Sequence, residues 1–96
     1  MEVVFGEFAK LEFDDACDWY DSELPGLGAR FAKHVGDAIE RIGRMPMLYP
    51  VEQGEVRKCV LSRFPYTLRY VVRQHDAVIV AVSHHHRHPE YWVGQS

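Results

Sequence analysis

The amino-acid sequence predicts an α+β fold of order β-α-α-β-β-β, with a helical hairpin packed on a small, mainly antiparallel sheet. Three observations carry that expectation. Two stretches in the first half repeat apolar residues at helical spacing. Three stretches in the second half are short, apolar and β-branched. The breaks between them are marked by Gly, Pro or polar turn residues. A chain of 96 residues fits one domain, residues 1–96, large enough to hide roughly 60–65% of its unfolded surface.

Taken in order, Val3-Val4-Phe5 reads as a brief first strand. The period then changes. Ala9, Phe13, Ala16, Cys17, Tyr20 and Leu24 recur at helical spacing, while Glu12, Asp14, Asp15, Asp18 and Asp21 fall on the other face and read as a solvated acidic side. Trp19 sits at its margin. Pro25-Gly26-Leu27-Gly28 ends this helix and starts a second, whose stripe is Leu27, Phe31, Val35, Ala38, Ile39 and Ile42. Asp37 before Arg41 and Glu40 before Arg44 have the spacing and order of stabilising helical ion pairs. Gly43 and Pro46 stop the helix. So short a junction makes the pair an antiparallel hairpin.

After a connector from Pro46 to Pro50 and a turn at Gln53-Gly54, three β runs follow: Val56 to Ser62, Tyr66 to Arg73 and Ala77 to Ser83. Short breaks between them favour an antiparallel meander. Val78-Ile79-Val80-Ala81-Val82 is the most continuously apolar run, which predicts the central strand, with Val78, Val80 and Val82 buried. Tyr66 and Tyr70 alternate with Leu68 as a buried strand face would. A last turn from Pro89 to Trp92 is expected to dock its aromatics.

Composition excludes several classes. With 47% hydrophobic and 26% charged residues, the chain is an ordinary globule. No apolar run approaches the ~18–20 residues of a membrane span, and Met1 to Phe5 lacks the features of a secretory leader; a cytoplasmic location is expected. Cys17 and Cys59 make neither a disulfide framework nor a zinc spacing. Net charge is −3, but unevenly spread: twelve acids face five Lys/Arg up to Glu55, and two acids face six Lys/Arg from Val56 onward, where five of the six histidines also lie. Nucleic-acid contact would therefore be local. His84, His85, His86 and His88 have no carboxylate or thiolate spaced to complete a metal site, so neither metal nor cofactor is expected. Catalytic triads, phosphate-cradling glycine loops and paired glycosidase carboxylates are absent from the sequence.

Specific residues carry a resemblance beyond this. Leu24-Pro25-Gly26-Leu27-Gly28 with Phe31 and Ala38-Ile39-Glu40-Arg41-Ile42 resembles the helix junction of the RelE/ParE toxin superfamily. Met45-Pro46-Met47-Leu48-Tyr49-Pro50 leading into Val56-Arg57-Lys58 is similar to its connector, and Arg63-Phe64-Pro65-Tyr66 with Tyr70 to its central hairpin. His84 to Arg87 followed by Pro89-Glu90-Tyr91-Trp92 looks like its C-terminal signature. The pieces occur in family order from about Ala9 to Trp92.

The resemblance implies the toxin of a type II toxin–antitoxin, or plasmid-stabilisation, system. A cognate antitoxin would neutralise it in a hetero-oligomer. Two mechanisms divide the superfamily. A ParE-like member arrests growth by inhibiting DNA gyrase and needs no chemistry; Arg57, Arg63 and Arg69 are the candidate target contacts. A RelE-like member cuts messenger RNA on the ribosome, and here would use Lys58, His86, Arg87 and Tyr91. A metal-free cut needs a base, a phosphate clamp and a proton donor. Val60 and Thr67 stand where such an enzyme is usually basic, which favours the ParE-like reading. A third possibility is a degenerate member that only binds its antitoxin.

Overall fold

The computed structural model describes residues 1–86, and the element order is one strand richer than expected. Strand β1 (Glu2–Phe5) leads into helices α1 (Glu7–Glu23) and α2 (Leu27–Arg44). Strands β2 (Val51–Gln53), β3 (Val56–Val60), β4 (Tyr66–Val72) and β5 (Asp76–His84) follow. They form one sheet in the order β1-β5-β4-β3-β2. β1 runs parallel to β5, and the other pairings are antiparallel. Both helices lie on the face that carries Tyr66, Leu68 and Tyr70. The fold class is α+β as expected. The added strand β2 hides in what reads as connector and turn, because three exposed residues show no burial pattern.

The hairpin of helices is closed by contacts that the glycines permit. Gly26 adopts φ +91°, a left-handed conformation that β-carbon sterics disfavour in other residues. At Gly28 the reason is space. A Cβ there would lie 2.5 Å from the Cys17 carbonyl oxygen and 2.8 Å from the Asp21 carboxylate. The Gly28 N–H donates to Asp21 Oδ1 at 2.8 Å. Thus α1 supplies an anion that caps one open N–H in the first turn of α2. Asp21 belongs to this cap and not simply to a solvated face.

Phe31 is the centre of the core. Fully buried, it has ring centroids of Tyr66 at 4.9 Å, Tyr20 at 5.1 Å, Phe64 at 5.2 Å and Phe13 at 6.0 Å. Val35, Ala38 and Ile42 continue the stripe, with Ile39 at its margin. The α1 stripe holds as far as Tyr20, but Leu24 ends in solvent at 53% exposure. Of the two expected ion pairs on α2, Glu40–Arg44 forms at 3.3 Å. Asp37 pairs with Lys33 instead, and Arg41 donates from Nε to the Tyr49 hydroxyl at 3.2 Å. The connector offers Arg41 a partner that helix geometry could not foretell.

The sheet corrects two details of the β expectation. β4, not β5, is the middle strand, and β5 lies between it and β1. Nor do Val78 and Val80 join the core: Ala77, Ile79 and Val82 face the helices. The reason is a bulge. Tyr70 pairs with Ile79 and Arg69 with Ala81, so Val80 is an extra residue that reverses the alternation. A continuously apolar run gives no period from which to read this. Beyond the bulge, β1 has already ended; its last bond is Gly6 N–H to the Ile79 carbonyl at 2.8 Å. Glu12 then accepts the Val82 N–H at 2.7 Å, so this acid also turns inward from the expected solvated face.

Two of the three glycines in α2 provide a test. A Cβ added at Gly36 would meet nothing within 4 Å, so Gly36→Ala should stabilise by about 0.5–1 kcal/mol through helix propensity. Gly28→Ala should destabilise by about 1–3 kcal/mol, because the hairpin must open to admit the methyl group. Urea unfolding of both variants checks the opposite signs.

Candidate functional site

The face of the sheet turned away from the helices follows from the register. Because Cys59, Leu68 and Tyr70 are buried against the helices, their strand neighbours Lys58, Val60, Thr67 and Arg69 point the other way. Across β3 and β4, Lys58 pairs with Arg69 and Val60 with Thr67. Across β4 and β5, Thr67 pairs with Ser83 and Arg69 with Ala81. These residues therefore share one surface, with Glu52 of β2 reaching over its edge.

On this face one carboxylate engages two cations. Arg69 donates from Nε to Glu52 Oε1 at 2.6 Å and from Nη2 to Oε2 at 3.3 Å. Lys58 Nζ stands 3.9 Å from the same carboxylate. The Arg69 side chain is only 12% exposed, so the pair is partly withdrawn from water. The Arg69 hydrogen bond holds the Glu52 carboxyl below the usual glutamate range, against the opposing effect of burial. Beside it lies a depression of about 180 Å³ lined by Thr67, Arg69, Ser83, His84 and His85. Thr67 and Ser83 are buried, and Thr67 Oγ1 lies 3.0 Å from His85 Nε2.

The sequence candidates divide in three ways. Lys58 and Arg69 meet on the open face. Arg57 does not join them: its Nη1 donates to the carbonyls of Tyr49 at 2.8 Å and Met47 at 3.3 Å, clamping the connector on the helix side. Arg63 is exposed at the turn between β3 and β4. His86 keeps company with His84, whose ring packs edge-on against Tyr66, whereas it is His85 that reaches Thr67. Arg87, Tyr91 and the expected aromatic turn from Pro89 to Trp92 lie outside the described residues. Glu52 and Ser83 escaped the sequence reading, and His85 entered it only as one of several C-terminal histidines. Their signal is positional: an acid two strands from Arg69 becomes visible only when the edge strand is recognised.

Other titratable side chains are built into the core. Burial pushes the Tyr70 hydroxyl up to about 12, against the pull of Arg57, and that hydroxyl donates to the Pro46 carbonyl at 2.6 Å. Cys59 is buried and its thiol is pushed up by desolvation. Cys17 is raised by burial first and then by Asp14, Asp18 and Asp21. Among the described residues no three His, Cys, Asp or Glu side chains gather as a metal site would require. No helix among them is long and apolar enough to cross a membrane.

A helical hairpin on one face of a five-stranded mixed sheet is the architecture of the RelE/ParE class. The sequence model of the ParE toxin of the parDE type II toxin–antitoxin system matches residues 3–89, and the chain belongs to that family. A solved structure described as the chromosomal ParDE TA system from P. aeruginosa has the same fold. Its TM-score is 0.78 at 17% identity, covering 88% of this chain and 95% of that one. No curated protein gives a significant sequence match.

Two measurements check the electrostatics. Because Glu52 is depressed, its pair with Arg69 stabilises the fold fully above the ordinary glutamate range and is lost as pH falls through the lowered folded value. Glu52→Gln should therefore melt below wild type at pH 7, and the gap should close as the buffer is made strongly acidic. Both thiols have raised values, so iodoacetamide should alkylate native Cys17 and Cys59 more slowly than free cysteine, with the difference vanishing in denaturant.

Proposed function

We propose that this ParE-family toxin arrests growth by binding and inhibiting DNA gyrase, and that a cognate antitoxin neutralises it in a cytoplasmic hetero-oligomer. The observation that carries the non-enzymatic reading is the composition of the open sheet face. Val60 and Thr67 form an uncharged cross-strand pair, and one carboxylate already occupies the two cations beside them. Cleaving RNA without a metal requires concentrated positive charge on the phosphate and a proton relay. Here the Thr67 hydroxyl and the His85 imidazole are hydrogen-bonded to each other.

Binding needs accessible anchors instead. Of the three candidate arginines, Arg57 and Arg69 are engaged within the chain and Arg63 is exposed. Arg63 is therefore the preferred target contact. For the antitoxin, Met45, Met47, Leu48 and Val51 are all more than half exposed and lie around the outer edge strand β2. An extended antitoxin segment that covers them would bury apolar surface and shield a strand edge together.

Purified gyrase should lose supercoiling activity when the toxin is added and regain it with the antitoxin encoded beside the toxin. Arg63→Ala should weaken inhibition roughly 10–30-fold, as loss of an arginine anchor does at other interfaces. Ribosome-dependent cleavage of messenger RNA by the wild type, abolished by Lys58→Ala, would overturn the proposal in favour of the enzyme.

A further inference from the structure

We propose that Glu52 fills, from within the chain, an oxyanion site made by Arg69 and Lys58, and so keeps the phosphates of a nucleic acid off the open sheet face. Such exclusion is independent of the identity of the protein target.

The geometry is that of an occupied anion site. Arg69 presents Nε and Nη2 to separate carboxylate oxygens at 2.6 and 3.3 Å. A guanidinium offers the same two-pronged edge to phosphate. Lys58 flanks the carboxylate at 3.9 Å, as a second cation would flank a phosphate. Both cations project from paired positions on adjacent strands, so the sheet fixes their separation. The neighbouring depression adds the Thr67 and Ser83 hydroxyls and the His85 ring, the polar lining that a bound phosphodiester would touch.

Glu52 is held in place by the backbone. β2 pairs with β3 through Val51 opposite Arg57, and the Lys58 N–H donates to the Pro50 carbonyl at 3.1 Å. The carboxylate is thus delivered by an edge strand. It stays ionised at neutral pH because Arg69 stabilises its charged form. A phosphate approaching Arg69 would have to expel this anion or sit beside it, and either course opposes binding. Without Glu52, Arg69 Nε and Nη2 would lose the carboxylate they bond, beside Lys58 and the polar depression.

The test uses the full-length protein and a short fluorescein-labelled single-stranded oligoribonucleotide, with anisotropy read at low salt. Glu52→Gln should bind at least about tenfold more tightly than wild type, with a steeper loss of affinity as salt is raised. Glu55→Gln is the charge-matched control: it makes the same change in net charge, but Glu55 touches neither Arg69 nor Lys58 among the bonds of the described residues. It should gain little. Adding Arg69→Gln to Glu52→Gln should remove the gain.

In the wild-type background, Arg69→Gln should alter the weak binding by less than about threefold, because a cation already paired releases few counterions. That comparison does not depend on the folding of the Glu52 variant. The proposal fails if Glu52→Gln gains nothing, if Glu55→Gln gains as much, if the gain survives loss of Arg69, or if Arg69→Gln sharply weakens wild-type binding.

Discussion

Strand β4 has to place Tyr66, Leu68 and Tyr70 on one side, because three large side chains in strict alternation leave a pleated strand no other way to bury them. From that constraint the rest of the domain takes its orientation. Cys59 of β3 and Ile79 and Val82 of β5 are brought to the same side by pairing with β4. Phe31 descends from α2 onto Tyr66, and Tyr20 of α1 closes over both. The opposite face inherits Thr67 and Arg69 as the leftover positions of the same strand. A one-residue slip of β4 would bury Arg69 and expose two tyrosines at once.

This dependence explains what could be read from the sequence and what could not. The helices were legible because their stripes have a period and their junction carries Pro and Gly. Even the aromatic core was visible in the spacing of Phe31, Tyr66 and Tyr70. β5 was legible as a strand but not in its facing, since an unbroken apolar run has no alternation and the bulge at Val80 leaves no mark in composition. β2 was invisible for the opposite reason, being too short and too exposed to show any pattern. Recognition that Val60 and Thr67 are uncharged required only the sequence. That Glu52 is their neighbour's counterion required the register of an unseen strand.

Arginine assignments show the same limit from another side. Arg57, Arg63 and Arg69 look equivalent in a basic β region, yet they have three different surroundings. Arg57 ties down backbone carbonyls of the connector, Arg69 is locked to a carboxylate and Arg63 stands at an exposed turn. Alternation assigns Arg57 and Arg69 to different faces only once the bulge-free part of β4 is matched to β3. Charge alone cannot sort them, because all three carry the same charge and differ only in what lies opposite.

The bond from Val82 to Glu12 has a consequence for how the domain keeps itself separate from other chains. Among the described residues, where β1 stops, the margin of β5 is met by a helix side chain. That contact is only as durable as the docking of α1. A fluctuation that lifts this helix uncovers a length of β5 rich in valine and alanine, with a backbone donor ready to template a foreign strand. Helix α1 thus guards a strand margin as well as roofing the core, and Glu12 is one point at which it is held there.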